Sequence, residues 1–579
     1  MARKKTETPA PSKWPFRVAA SGIFLAEVAV LRGAASPFRI PKDSIALSAI
    51  CLAVGFAFVA AANRKTITYP SGRLVGVLLA LPVVQLISAL WSASPIRALE
   101  SAAFSLIWVI GILWFATLES SSRFRLAMVA AAGVVVSAAV MGLQIAGLQI
   151  FSLAGVFANG RMSLTGLTGN PADLAMAAVL LVPLLLVMRE GSPPTRLQAG
   201  IVLILSLATL LTRTLSGIGA LALVLLVWLV GQRSRTLWAK ATIVGAVFLG
   251  LALVAGLDTR LIRGYELLRQ GHWYELLSAR GDGWSAASEM VRAHPVSGVG
   301  AANYDHLYYP SRLSWFHRYG GIGGRGEVAS HFQAAHSDPL QMVAELGIPG
   351  LLWLFVFLVA LAGIRKRAGP LFPLAMAAYI PFALLHYPTH LTVALIPITL
   401  IMGEIIGTSE TIQRVDWLRA RVPVASFLMI VAIVGAGWQV RRFAGNLWAG
   451  SLEMVLAVSR QASPEVRIRR AAEVEAGVLP RISRMPRLAP TLWRTVGRAR
   501  LMRRDFNGAE QAFRTAYAGW PHEDADFYLG LTLVSQGRRT EGLQHLGRVC
   551  RTNQALVRLI HDRDLRRSVE NVLEAFKER

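Results

Sequence analysis

The chain has 579 residues, 54% of them apolar, with a mean hydropathy of +0.48 and a net charge of +26 from 60 basic and 34 acidic side chains. So apolar a composition excludes an ordinary soluble domain, whose surface must be solvated. The two cysteines, Cys51 and Cys550, exclude a disulfide framework or a cysteine-built metal site.

The apolar residues fall in blocks about as long as a ~30 Å hydrocarbon core requires. In chain order these predict spans over Phe16–Leu31, Ser44–Ala62, Leu74–Trp91, Ala98–Thr117, Leu126–Leu148, Ala172–Met188, Leu197–Leu211, Ser216–Val230, Ala241–Gly256, Gly350–Ile364, Leu371–Leu385, Leu391–Gly407 and Val422–Val440. The first of them carries Arg17 and Glu27; if it lies flat, thirteen spans become twelve. Met1–Lys13 is basic and polar and no cleavage site follows, so a cytoplasmic N-terminus is expected. Lys and Arg then mark the cytoplasmic connections: Asn63–Arg73, Glu119–Arg125, Arg189–Arg196, Gln232–Lys240, Arg365–Arg367 and Thr408–Arg421. That register puts the two long opposite segments, Gln149–Asn170 and Leu257–Pro349, on the outer, periplasmic side, together with the tail after Val440. The positive charge fits both an anionic membrane surface and a polyanionic substrate such as pyrophosphate. Nothing resembles an element that reads nucleic acid.

Chemistry is expected where ionisable groups gather at the outer surface. His336 precedes Ser337-Asp338-Pro339. Asp338 suits an N-cap, Pro339 the first helical position and Gln341 a capping box, while Gly347 and Pro349 end the short helix. The positive end of that helix disfavours imidazolium and attracts anions. His336 then serves either as a general base or as a donor to a loop carbonyl. Arg280 stands before a helix expected over about Asp282–Ala293, with Asp282 or Gly283 as its cap. Its guanidinium there makes a bidentate phosphate cradle or an interfacial anchor paired with lipid or Asp282. Asn170-Pro171 opens another helix toward the same side, near Arg161, and Arg213 lies in a tight turn between two spans. Both arginines are candidates for substrate binding or for snorkelling. The Gly-rich string Pro295–Tyr304 lacks a nucleotide-loop pattern. No H-E-x-x-H occurs, and Asp562-Arg563-Asp564 sits in the solvated tail, so neither metal nor cofactor is expected.

From Arg441 on, the chain is polar, Arg-rich and helical in pattern. Trp493, Val496, Gly497, Ala509, Phe513, Ala516 and Pro521 are spaced as in a 34-residue tetratricopeptide repeat. A fainter copy runs over Leu529, Gly530, Gly542, Leu546 and Val549, and Val557–Phe576 is expected to cap the pair. The expected fold is therefore all-α: a polytopic bundle of twelve or thirteen membrane helices with a large helical loop and a tetratricopeptide-like domain. Residues 1–256 carry nine spans, 257–349 the loop, 350–440 four spans and 441–579 the tail.

His336-Ser337, followed after nine residues by Gly347 and after two more by Gly350, resembles the signature of bacterial O-antigen ligases. Arg280 with Trp284, His294-Pro295, Gly298-Val299-Gly300 and the segment Gly166–Ala175 are similar to further parts of that family, whose superfamily includes O-antigen polymerases and protein oligosaccharyltransferases. The likeness covers roughly residues 40 to 405 and not the tail. It implies a metal-independent, inverting transfer of a glycan from undecaprenyl pyrophosphate to lipid A-core, a growing glycan or a protein, at the periplasmic face of the bacterial inner membrane. It implies His336 as the catalytic base and Arg280, with Arg161 and Arg213, as pyrophosphate ligands. The tail is not part of a minimal ligase and is expected to dock an envelope partner. A transporter of lipid-linked glycan is the competing class; it would need charges within several spans.

Overall fold

A computed structural model of the chain describes residues 13–31, 34, 36–148, 164–187, 195–231, 259–272, 280–319, 332–416 and 421–577. The protein is an all-α polytopic helical protein. Its first helices are α1 (Trp14–Val28), α2 (Ile40–Arg64), α3 (Arg73–Ser88), α4 (Pro95–Ala116), α5 (Ser120–Ile145), α6 (Pro171–Val187), α7 (Arg196–Leu211) and α8 (Leu215–Gly231). There follow α9 (Thr259–Arg269), α10 (Arg280–Ala293), α11 (Tyr304–Tyr319), α12 (Asp338–Ile364), α13 (Leu371–Leu385), α14 (Thr392–Ser409) and α15 (Arg421–Ser459). The tail holds α16 (Pro464–Val478), α17 (Ala489–Met502), α18 (Phe506–Gly519), α19 (Glu523–Ser535), α20 (Arg539–Thr552) and α21 (Arg563–Lys577). Among the described residues six helices are long and apolar enough to cross a membrane: α2, α4, α5, α12, α14 and nearly all of α15. Another five, α3, α6, α7, α8 and α13, are apolar but shorter. The expected span Ala241–Gly256 lies outside the described residues, as does Arg161.

The chain divides into two compact units. One comprises Met1–Val83, Ala103–Ile262 and Trp353–Ala444; the other comprises Val84–Ala102, Arg263–Leu352 and Gly445–Arg579.

The first unit is the apolar bundle. α6 and α14 are almost wholly buried at its centre, from Leu174 to Leu185 and from Val393 to Ile406. Many large apolar side chains of α7, such as Leu203 and Leu207, and of the first half of α15, such as Phe427 and Val434, are turned outward, a surface suited to hydrocarbon and not to water. Local chemistry explains several helix starts. Thr195 and Gln198 close a capping box on α7, and the Asn170 side chain accepts from Ala172 N (3.0 Å) where Pro171 opens α6. Two charges that would be intolerable alone are paired in the interior. Arg123 meets Glu404 at 2.5 Å and also donates to the carbonyl of Leu118 (2.6 Å).

Two expectations need correction here. Asn63–Arg73 and Thr408–Arg421 are not simply loops, because Thr66–Ser71 (β1) pairs antiparallel with Thr411–Asp416 (β2), Tyr69 opposite Gln413. The two connections that the charge register assigns to one side thus hold each other. The last helix does not end near Val440 but runs 39 residues, about 58 Å at 1.5 Å per residue and twice a hydrocarbon core. The first helix, 15 residues long, is packed through Ala19, Gly22 and Ala26, and the Lys42 amine donates to the carbonyls of Ala26 and Glu27. Glu27 is buried.

The second unit joins the loop, the turn after α3 and the tail. In the tail, helices pair across three-residue connections, α17 with α18 and α19 with α20. Glycine lets each pair close: a methyl on Gly497 would stand 2.7 Å from the Phe513 ring, and one on Gly530 2.8 Å from Leu546.

Candidate functional site

The second unit brings Arg280 and His336 into one environment. α10 begins at Arg280, and its first turn is locked from inside. Asp282 is fully buried and ion-paired with Arg312 of α11, which also donates to Ser285 (3.1 Å). The expectation of a helix from about Asp282, capped by Asp282 or Gly283, is therefore corrected: the helix already begins at Arg280, and Asp282 lies inside its first turn, where its buried carboxylate meets Arg312. Tyr304 donates its phenol proton to the Gly283 carbonyl (3.0 Å). Gly283 leaves room for the backbone of Ala335, whose oxygen would be 3.0 Å from an added methyl. The residue before His336 thus rests against the first turn of Arg280's helix.

His336 itself adopts a left-handed backbone, φ +54°, unusual for a residue with a Cβ. Strain of this kind persists only where the surroundings over-determine it. Here they do: the Gln341 side chain accepts from Ala335 N (3.0 Å), Gln341 N donates to Ser337 O (2.9 Å), and the Phe332 ring meets the imidazole edge-on at 5.1 Å. The Gln341 side chain, expected to pair with Asp338, reaches back three residues further to the Ala335 N–H. Burial, with the nearby Arg280 charge adding to it, pushes the His336 imidazole down to about 3. The ring is neutral at physiological pH.

α12 breaks at Gly347 (φ 61°, ψ −141°) and resumes, so the helix entered at Asp338 is short, as its sequence requires. What closes its end is the Gly-rich string. Val299 N and Gly300 N donate to the carbonyls of Ala344 (3.1 Å) and Glu345 (2.8 Å), and Ile348 N donates to Val296 O (3.0 Å). Backbone groups of a second segment thus satisfy carbonyls that the helix leaves orphaned. The turn after α3 grips the same string: Trp91 donates to Ser297 O (2.9 Å), Ala301 N donates to Ser88 and Asn303 donates to Ser92 (2.6 Å).

Sequence reasoning missed Glu345, Arg312 and Tyr304. Glu345 is buried and accepts from Ala302 N (2.8 Å), Gln341 (3.0 Å) and Tyr304 N (3.4 Å), so it ties α11 to the His336 helix. An acid inside the apolar run before Gly347 was the available signal. Arg312 and Tyr304 are spaced eight residues apart on one face of a helix whose partners are remote in sequence, and nothing local betrays them.

The remaining candidates belong to the first unit. Arg213 is exposed, with φ +52°, in the turn between α7 and α8, flanked by buried Thr212 and Thr214. Asn170 caps α6. Nearby in that unit, Ser216 and His386 form a buried 2.7 Å pair, and Arg39 donates to His390 O (2.8 Å).

Residues 200–355 match the family model described as O-antigen ligase (Wzy_C). The match includes Arg213, Arg280, His336 and Gly347 and supports the O-antigen ligase superfamily. No curated protein matches the chain.

Proposed function

We propose that this protein is a membrane glycosyltransferase that moves a glycan from undecaprenyl pyrophosphate to an acceptor hydroxyl at the outer face of a bacterial inner membrane. The observation that carries this reading is the neutral imidazole of His336, held in a strained backbone beside the charge of Arg280, inside the matched segment. In the proposed step His336 takes the acceptor O–H proton and the acceptor oxygen forms the new bond to the anomeric carbon, with inversion. The bond from that carbon to the pyrophosphate oxygen breaks, and its electron pair leaves on the pyrophosphate. Arg280 offers a two-pronged donor to the departing charge, with Arg161, Arg213 and Asn170 proposed to hold the rest of the donor.

The low basicity of His336 fits this order of events. In the free protein it is a weak base, because burial and Arg280 both penalise the imidazolium. A bound pyrophosphate neutralises Arg280 and adds negative charge, which raises the imidazole toward a useful strength once donor is present. The tail is proposed as a tetratricopeptide-like domain on the same side. Lipid A-core, a growing glycan and a protein are the proposed acceptors.

His336→Ala is expected to abolish transfer with membrane insertion and melting midpoint retained; transfer at the native rate refutes the assignment. Mass analysis of glycans in a strain lacking the protein separates the acceptors. Accumulated lipid-linked polymer indicates a ligase and accumulated single repeat units a polymerase.

A further inference from the structure

α11 presents two different faces to two different partners within the second unit. Tyr304, Tyr308 and Arg312, four residues apart, face the candidate site. Tyr304 and Arg312 hold the first turn of Arg280's helix, and Tyr308 lies 6.2 Å from Phe332, which in turn packs on His336. Asp305, Tyr309 and Leu313 form the adjacent stripe, about 100° around the helix. Tyr309 and Leu313 face the C-terminal domain, while the Asp305 carboxylate pairs with Arg97 and its carbonyl accepts from Trp520 of the tail.

The contacts along that second stripe are specific. Tyr309 is fully buried and donates to Asp526 of α19 at 2.5 Å. Asp526, also fully buried, is held from its other sides by Arg548 (2.5 and 2.8 Å) and His545 (2.6 Å) of α20. Burial beside that carboxylate keeps the Tyr309 phenol well above its usual range, so it remains a donor. Trp520 donates to Asp305 O (3.4 Å) and lies 4.8 Å from the Arg97 guanidinium, which pairs with Asp305 at 3.0 Å. Tyr309 and Leu313 also complete an apolar cluster whose other members, Phe527, Leu546, Val549 and Ile560 among them, all belong to the tail. This is the packing of one continuous core, with a buried, fully partnered carboxylate at its centre.

We infer that the C-terminal domain is a working part of the transfer site: it fixes α11, and through α11 the helix of Arg280 and the loop of His336, with Tyr309 and Asp526 as positioning residues. The inference rests on the proposed roles of Arg280 and His336. It also changes what the tail is for. A domain expected to dock an envelope partner has one face already occupied by the chain's own loop. Loss of the tail therefore removes the chemistry and not merely an accessory contact.

The test uses the full-length protein in membranes, with a short-chain polyprenyl-pyrophosphate glycan as donor. Tyr309→Phe deletes one hydroxyl and Asp526→Asn deletes one charge. Both are expected to lower kcat about 10- to 100-fold with the donor KM within twofold, the signature of misplaced groups and not of lost substrate contacts. Hydrogen exchange, which needs no activity, should quicken in residues 280–293 and 332–341 of both variants at a melting midpoint close to native. Arg469→Gln, at an exposed tail ion pair with Glu473, should change nothing. Unchanged exchange and kcat within twofold in Tyr309→Phe overturn the inference. Should Asp526→Asn fail to fold, Tyr309→Phe decides alone. If His336→Ala keeps transferring while exchange quickens as expected, the chemical reading fails and the mechanical coupling stands.

Discussion

Gly298→Ala tests how the short helix after His336 is closed. Gly298 has φ +65°, and a methyl there would overlap the Glu345 carbonyl oxygen and stand 2.6 Å from Gly347 N, both backbone atoms that cannot swing aside. The left-handed backbone alone costs about 1–2 kcal/mol once a Cβ is present. Relieving the overlap adds about 1–3 kcal/mol of displaced packing. Movement of the string also stretches the Val299–Ala344 and Gly300–Glu345 hydrogen bonds, each contributing about 0.5–1.5 kcal/mol. Because displacement and bond loss overlap, the total is about 3–6 kcal/mol. Gly271→Ala is the matched control: φ is +71° but among the described residues nothing lies within 4 Å of the added methyl, so only the ~1–2 kcal/mol backbone term is counted. Differential scanning of the detergent-solubilised protein should show the difference, since each kcal/mol moves the midpoint by roughly 2–4 °C in a unit of this size. Equal melting of the two variants would refute the account of how the loop is locked.

Arg280→Lys should reduce kcat/KM for transfer at least tenfold, since a point charge cannot reproduce the fork; steady-state kinetics near the native value would make Arg280 an anchor only. The pH dependence follows from the depressed imidazole. With His336 at about 3, kcat/KM loses nothing to its protonation between pH 7 and pH 5, whereas a histidine at the ordinary 6.5 would lose roughly 25-fold. The acid limb of kcat should lie at higher pH than that of kcat/KM, because pyrophosphate raises the same group; a kcat/KM limb centred near 6.5 contradicts this. Arg312→Met removes the guanidinium paired with the buried Asp282 carboxylate and should destabilise the second unit by about 3–5 kcal/mol. Adding Asp282→Asn should recover part of that loss, and a double variant no more stable than the single one argues against a paired charge.

Much of the site's local design is legible without coordinates. A helix begins at Asp338-Pro339 and Gly347 breaks it, because proline placement and left-handed turns are decided within a few residues. The spans are legible because hydrocarbon demands length and apolarity together, and the Arg123–Glu404 pair shows the bundle meeting its own charges internally. The strand pair was not legible. Thr66–Ser71 is six residues long, and its partner lies some 345 positions away, so neither segment carries a pattern that names the other. The length of α15 was misjudged for a related reason: hydropathy falls near Val440, but helicity does not depend on hydropathy and continues to Ser459.

By itself, the sequence determined that this is a helical chain of the membrane, roughly where its apolar helices lie, and which residues are able to carry acid–base and anion chemistry. These follow from short-range backbone and solvation physics. Only the tertiary structure decided which of those residues share an environment. Asp282 was a plausible cap until Arg312 claimed it, and the Gly-rich string was an unassigned motif until it closed the end of the helix that His336 introduces. The tail read as a separate module until Asp526 met Tyr309. Each outcome depends on burying a charge or an orphaned carbonyl, and what satisfies a buried group is set by what is folded beside it, not by its neighbours along the chain.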